Sequence, residues 1–267
     1  MKRVFFLLAV AVIFATAFTS CKKDEENANT GKLLKTITVC CIKSDGHDED
    51  IGRYDKYKFE YDKQNRITKM SEYYYDGSLY YTKTFTYAGD DLDQVLYSHS
   101  SGSVSTYEYT KNGNTITEKD IYDGGVRISI IELDNDGFPF KREREEEDGS
   151  TYIDTYEYQD ENLTIISQSF SISEFDYTES YTYNYVYDNE KGALYHCKTP
   201  KWGLILHLND FGIKNNRTAA NAPPRSKTEY TYKFDSAGFP AKRTYINTWG
   251  MADHIKEWVE EFTYIRK

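Results

Sequence analysis

The chain has 267 residues, 43 of them acidic and 33 basic for a net charge of −10, and aromatics make up 16%, with 26 tyrosines. No basic stripe breaks that acidity, so nucleic acid and anionic headgroups are poor partners. The acidity favours solubility and by itself names no ligand.

Residues 1–20 read as a Sec signal peptide. Lys2 and Arg3 give a positive start, Val4 to Phe18 is an almost unbroken apolar run, and Thr19 and Ser20 close it. The run is shorter than the roughly 20 residues of a membrane-spanning helix. Phe18-Thr19-Ser20-Cys21 resembles a lipobox, which implies that Cys21 becomes the lipidated mature N-terminus; the alternative is a plain signal peptide with an incidental cysteine. Residues 21–34, charged and poor in large apolar side chains, are expected to form a flexible tether. Cys21-Lys22-Lys23-Asp24-Glu25-Glu26 resembles the export signal of Bacteroidetes-type surface lipoproteins. That implies an outer-membrane lipid anchor with the protein exposed at the surface; a periplasm-facing anchor with an ordinary linker is the alternative.

Residues 35–267 are expected to form a single antiparallel β domain. Cys40 and Cys41 are adjacent, so on a strand they face opposite sides and at most one can easily reach Cys197. Cys41 and Cys197 are the candidate disulfide, with one thiol left over. Turn signals then recur behind aromatic-rich stretches, from Tyr61, Tyr87, Tyr109, Leu133, Tyr158, Tyr187 and Phe234, the first six spaced by 22–29 residues. Each unit is a strand alternating aromatic with polar, a turn of Asp, Asn and Gly, and a second alternating strand. Such spacing indicates an all-β meander.

Phe59-Glu60-Tyr61-Asp62 and Tyr185-Val186-Tyr187-Asp188 resemble the YD, or Rhs-type, repeat. The chain from about Thr36 resembles a group of uncharacterised Bacteroidetes-type lipoproteins with YD-like repeats and a porin-like β domain. The match is degenerate: Leu133-Asp134 and Phe234-Asp235 replace the Tyr-Asp pair, and Tyr87, Tyr109 and Tyr158 lack the Asp. The resemblance implies a lipid-anchored β domain and brings no catalytic residue with it.

The aromatics sit in mid-strand rather than in two interfacial girdles, and the chain closes on Ile-Arg-Lys. The expected fold is therefore a large, strongly curved antiparallel meander of about 14–16 strands, a closed or partly open barrel in water. Residues 199–225 break the rhythm as an irregular insertion whose apolar centre, Trp202 to Leu208, needs burial across one end or in the mouth of the sheet.

Sites are harder to read. No histidine pairs with another at metal-binding spacing, and Asp-rich turns at 88–93 and 133–137 lack an EF-hand's length and closing Glu. No phosphate loop or nucleophile elbow occurs. The run from Glu143 to Gly149 reads as the solvated face of a hairpin. No catalytic residue, metal or cofactor is expected. Trp249, Trp258 and Tyr74 are the candidate ligand-binding aromatics, Tyr74 because three consecutive tyrosines cannot all face inward. The expected function is a non-catalytic surface lipoprotein that binds a glycan or a protein. A half-barrel carrier or chaperone of apolar molecules, and a structural or adhesive shell, are the alternatives.

Overall fold

The computed structural model describes residues 31–44, 54–222, 226–249 and 254–266. The signal peptide, Cys21 and most of the tether lie outside the described residues. The sheet begins with β1 (Lys32–Ser44), β2 (Tyr54–Tyr61), β3 (Ile67–Tyr73), β4 (Leu79–Ala88), β5 (Asp91–His99), β6 (Val104–Asn112), β7 (Thr115–Tyr122) and β8 (Gly125–Leu133). It continues with β9 (Pro139–Glu145), β10 (Ser150–Gln159), β11 (Asn162–Ile172), β12 (Tyr177–Lys191), β13 (Asn215–Ala222), β14 (Ser226–Phe234), β15 (Pro240–Trp249) and β16 (His254–Arg266). Every strand pairs antiparallel with its chain neighbours, and β1 pairs with β16, so these sixteen close into a barrel without a free edge. The tether expected through residue 34 gives way to β1 at Lys32, because Leu33 and Leu34 are fully buried.

Cross-strand neighbours share a face, so register sorts the wall into two sides. Phe59 lies opposite Met70, Met70 opposite Lys83, Lys83 opposite Tyr97, and Val95 opposite both Phe85 and Tyr107; this parity faces inward. The other parity pairs Glu60 with Lys69, Glu108 with Lys119, Ile130 with Glu143, and Lys242 with Glu261. The outer wall therefore carries charge around its circumference. A Lys or Arg at a bilayer midplane costs about 2–4 kcal/mol, so this surface suits water and not acyl chains.

In a meander, successive turns alternate between the two ends of the barrel. One end is closed by the segment 192–214, between β12 and β13. Its α1 (Lys201–Leu208) and a 3-10 turn, Asn209–Phe211, form a plug that buries Trp202, Leu204, Ile205 and Leu208. The neck of the plug needs glycine: a Cβ on Gly192 would come within 2.4 Å of the Gly212 carbonyl oxygen. The insertion expected to be irregular over 199–225 thus contains a helix, and its residues 215–222 are the wall strand β13. Lys32 and Arg266 pair at this plugged end, so the N-terminal segment leaves from there. At the opposite end, the mouth, no such plug is present among the described residues.

The repeat has a physical basis at the plugged end. Asp62, Asp134 and Asp235 each accept backbone N–H bonds through Oδ1 from residues two and four further on, at 2.8–3.2 Å. The units without that Asp use shorter two-residue turns at 89–90, 113–114 and 160–161, where Gly89, Gly113, Asp160 and Glu161 have positive φ. The tyrosines also have a repeated task. Tyr87 donates to the Ile67 carbonyl at 2.6 Å, Tyr158 to that of Pro139 at 2.8 Å, and Tyr264 to that of Pro240 at 2.9 Å. Each accepting carbonyl belongs to the first residue of a returning strand.

Candidate ligand-binding site

The plug fills the lower lumen and is latched by wall side chains. Lys83 Nζ donates to the His207 carbonyl at 2.9 Å, and the Tyr109 hydroxyl meets His207 Nε2 at 2.6 Å. Arg217 holds the Asn209 carbonyl at 3.1 Å and Asp210 Oδ1 at 3.3 Å, and Arg243 holds the Asp210 carbonyl at 3.2 Å. Burial, aided by Lys83 and Arg142, pushes His207 down to about 3, so it sits as the neutral ring.

Above the plug the lumen is polar. Arg243 and Glu260, 7% and 5% exposed, form an ion pair with Nε–Oε2 at 2.6 Å and Nη2–Oε2 at 2.5 Å. Glu118 holds Arg142 at 2.5 Å, and Glu146 holds Arg144 at 2.7 Å and Arg127 at 3.4 Å. The stretch from Glu143 is thus only half solvated: Glu143 faces outward, while Arg142 and Arg144 point into the lumen. A cavity of about 290 Å³ lies directly over the plug, lined by Tyr57, Tyr81, Tyr230, Arg243, Tyr245 and Asp210 among others. The Asp210 carboxylate projects into it, 82% exposed, from the tip of the plug.

A cleft of about 490 Å³ opens at the mouth among Asp55, Glu72, Tyr74, Tyr75, Tyr80, Lys256 and Trp258. The structure brings Tyr74 and Trp258, two of the sequence candidates, into this one cleft. Tyr74 leaves the end of β3 and turns back at Ser78, which exposes it and Tyr75. The Tyr74 and Tyr80 rings lie tilted at 4.7 Å. Trp258 stacks on Tyr245 at 6.2 Å and 14°, which ties the cleft to the deeper cavity. Tyr57 and Tyr81, from that cavity, direct their hydroxyls at Glu72, and burial plus this carboxylate raises both phenols far above their usual range. Burial also raises Glu72, against the opposing pull of those two hydroxyls. Trp249 stands beside the cleft, its ring 5.8 Å from Lys256 Nζ.

The remaining sequence candidates lie elsewhere. Cys41 is buried opposite Trp258 on β1, while Cys197 sits with Thr199 and Ile67 at the plugged end, and no bridge joins them. Among the described residues no group of three His, Cys, Asp or Glu is placed to hold a metal. The lumen charges were missed from sequence, although parity marks them: Lys83, Arg243 and Glu260 occupy the same alternation as Tyr81, Tyr245 and Phe262.

No family model matches the chain, and no curated protein matches it. Among solved structures it is similar to a porin-like protein from Bacteroides uniformis ATCC 8492, with a TM-score of 0.53 and 15% identity over 87% of this chain and 98% of that one. A porin-like protein from Bacteroides vulgatus ATCC 8482 aligns with a TM-score of 0.42 and 10% identity, over 88% and 99%. The fold of the first is shared. At such identity the likeness carries over no site and no activity.

Proposed function

We propose that this barrel is a non-catalytic receptor of the cell envelope that holds a saccharide-sized polar ligand at the mouth opposite the plug. The observation that carries the reading is the cleft itself, where Tyr74, Tyr75, Tyr80 and Trp258 offer ring faces beside carboxylates and an ammonium. Flat rings suit the apolar faces of sugar rings, and the charged groups suit their hydroxyls. A non-catalytic role is favoured because Glu118, Glu146 and Glu260 are each committed to an arginine. The carrier of apolar molecules is disfavoured: the apolar part of the lumen is occupied by Trp202, Leu204 and Leu208, and the space above them is lined with charge.

Anchoring through acyl chains on Cys21 belongs to the same proposal. The described chain begins at the plugged end, so acyl chains on Cys21 would be tethered to that end and leave the mouth accessible to ligand arriving from the medium. The test is a glycan array followed by titration of the best hit against the wild type and Trp258→Ala. Millimolar or tighter binding that weakens at least about tenfold in the variant supports the reading. No glycan bound at millimolar concentration, or equal binding by the variant, removes it.

A further inference from the structure

We propose that the mouth cleft selects a ligand bearing an ammonium group, which sits against the ring faces of Tyr74, Tyr80 and Trp258 with its charge met by Glu72. This inference rests on the reading of the mouth as the ligand site and narrows the chemistry of what enters it.

Three observations converge. The first is the balance of charge. Among the described residues that line the cleft, Asp55 and Glu72 stand with one cation, Lys256, and a further carboxylate, Asp76, acts on Tyr74 from the rim. Lys256 reaches towards the ring of Trp249. The second is the state of Glu72. The other lumen glutamates Glu118, Glu146 and Glu260 each hold an arginine, whereas the groups on Glu72 are the phenol hydroxyls of Tyr57 and Tyr81. Two neutral donors satisfy lone pairs, and the cation that acts on Glu72, Lys83, makes its hydrogen bond to the His207 carbonyl, so no ion pair of the arginine kind holds this carboxylate. The Glu72 carboxyl is accordingly raised by burial, with Asp55 adding to the rise.

The third is the use this wall makes of its rings. Arg66 lies 4.1 Å from the Tyr87 centroid, Arg217 4.1 Å from Tyr185, Arg127 4.4 Å from Tyr122, and Arg144 4.4 Å from Tyr152. Among the described residues no cation is seated over Tyr74, Tyr80 or Trp258. Tyr74 is 40% exposed and is joined by Tyr75 at 62%, while Tyr80 and Trp258 are half-buried behind them. An aromatic wall beside a carboxylate that no arginine holds is an arrangement that recognises organic ammonium ions. A neutral sugar would stack on the same rings and gain nothing from Glu72, which separates the two possibilities.

The experiment is isothermal titration of the full chain at pH 6.5 with glucosamine, N-acetylglucosamine, glucose and tetramethylammonium, on the wild type, Glu72→Gln and Trp258→Ala. Glucosamine and tetramethylammonium should bind about tenfold more tightly than the two uncharged sugars. Glu72→Gln should remove that preference while thermal unfolding stays cooperative, and Trp258→Ala should weaken all binding. Glucose binding as tightly as glucosamine, or a preference that survives in Glu72→Gln, overturns the ammonium inference and leaves the mouth as a saccharide site. Binding of every probe unchanged in Trp258→Ala overturns the site itself. Absence of tetramethylammonium binding at millimolar concentration also overturns the ammonium inference.

Discussion

Arg243→Met isolates an ion pair between two wall strands whose arginine also holds the plug. Arg243 is 7% exposed, contacts Glu260 at 2.6 and 2.5 Å, and holds the Asp210 carbonyl at 3.2 Å. Its removal leaves the 5%-exposed Glu260 carboxylate buried without its cation, a change that costs about 3–5 kcal/mol. For a domain of this size each kcal/mol moves the melting temperature by about 2–4 °C. The pH dependence has a definite sign. Glu260 is already raised in the folded state because burial outweighs Arg243. A raised carboxyl binds its proton more readily folded than unfolded, so its contribution to stability falls as pH rises above the unfolded value of about 4.3. Loss of Arg243 raises Glu260 further, so the penalty is largest at pH 8 and shrinks towards pH 5. Urea unfolding of the wild type, Arg243→Met and Arg243→Met/Glu260→Leu at pH 5, 7 and 8 measures this. The double variant should regain most of the loss at pH 7, because the isolated charge is gone. A single-variant cost under about 1 kcal/mol at pH 7, an equal cost at pH 5 and pH 8, or a double variant no more stable than the single one refutes the reasoning.

Four further outcomes are expected. Trp202→Ala, which removes a 2%-exposed indole set edge-on to Tyr109 at 4.8 Å, should cost about 3–5 kcal/mol by calorimetry; an unchanged melting temperature would mean the plug does not support the barrel. His207, held near 3 when folded, binds fewer protons than in the unfolded chain, so its part of the stability is lost as pH falls from about 6.5 towards 3; chemical unfolding of His207→Gln should show a shallower acid decline than the wild type. Asp134→Ala strands the N–H groups of Asp136 and Phe138 and should cost about 1 kcal/mol in the same assay, with no effect on ligand titrations at the opposite mouth. Metabolic labelling with an alkynyl fatty acid should mark the wild type and not Cys21→Ser; equal labelling would end the lipoprotein reading.

Much of the wall was legible because its alternation is local. Tyr57, Phe59 and Tyr61 announce a strand with one inward face, and Asp62, Asp134 and Asp235 announce turns whose hydrogen bonds close within five residues. Segment 215–222 was not legible as a strand, since its polar residues lack the aromatic alternation and pair as β13 only because β12 and β14 flank them. The candidate cleft was legible residue by residue, through Tyr74 and Trp258, but not as a site. Its members come from β2, β3, β4 and β16 and the turn after β3, and only closure of the ring makes β16 a neighbour of the first strands.

By itself the sequence determined the strand type, the turn chemistry, the inward parity of the tyrosines and the need to bury Trp202 to Leu208, because each follows from the character of residues close in the chain. Tertiary structure alone decided that sixteen strands close, that the plug seals the end from which the N-terminal segment leaves, and that Glu72 faces Tyr57 and Tyr81 while Arg243 faces Glu260. The reason is register and closure: which charge meets which partner across a barrel depends on how far each strand is shifted against the next, and that shift is summed around the whole ring.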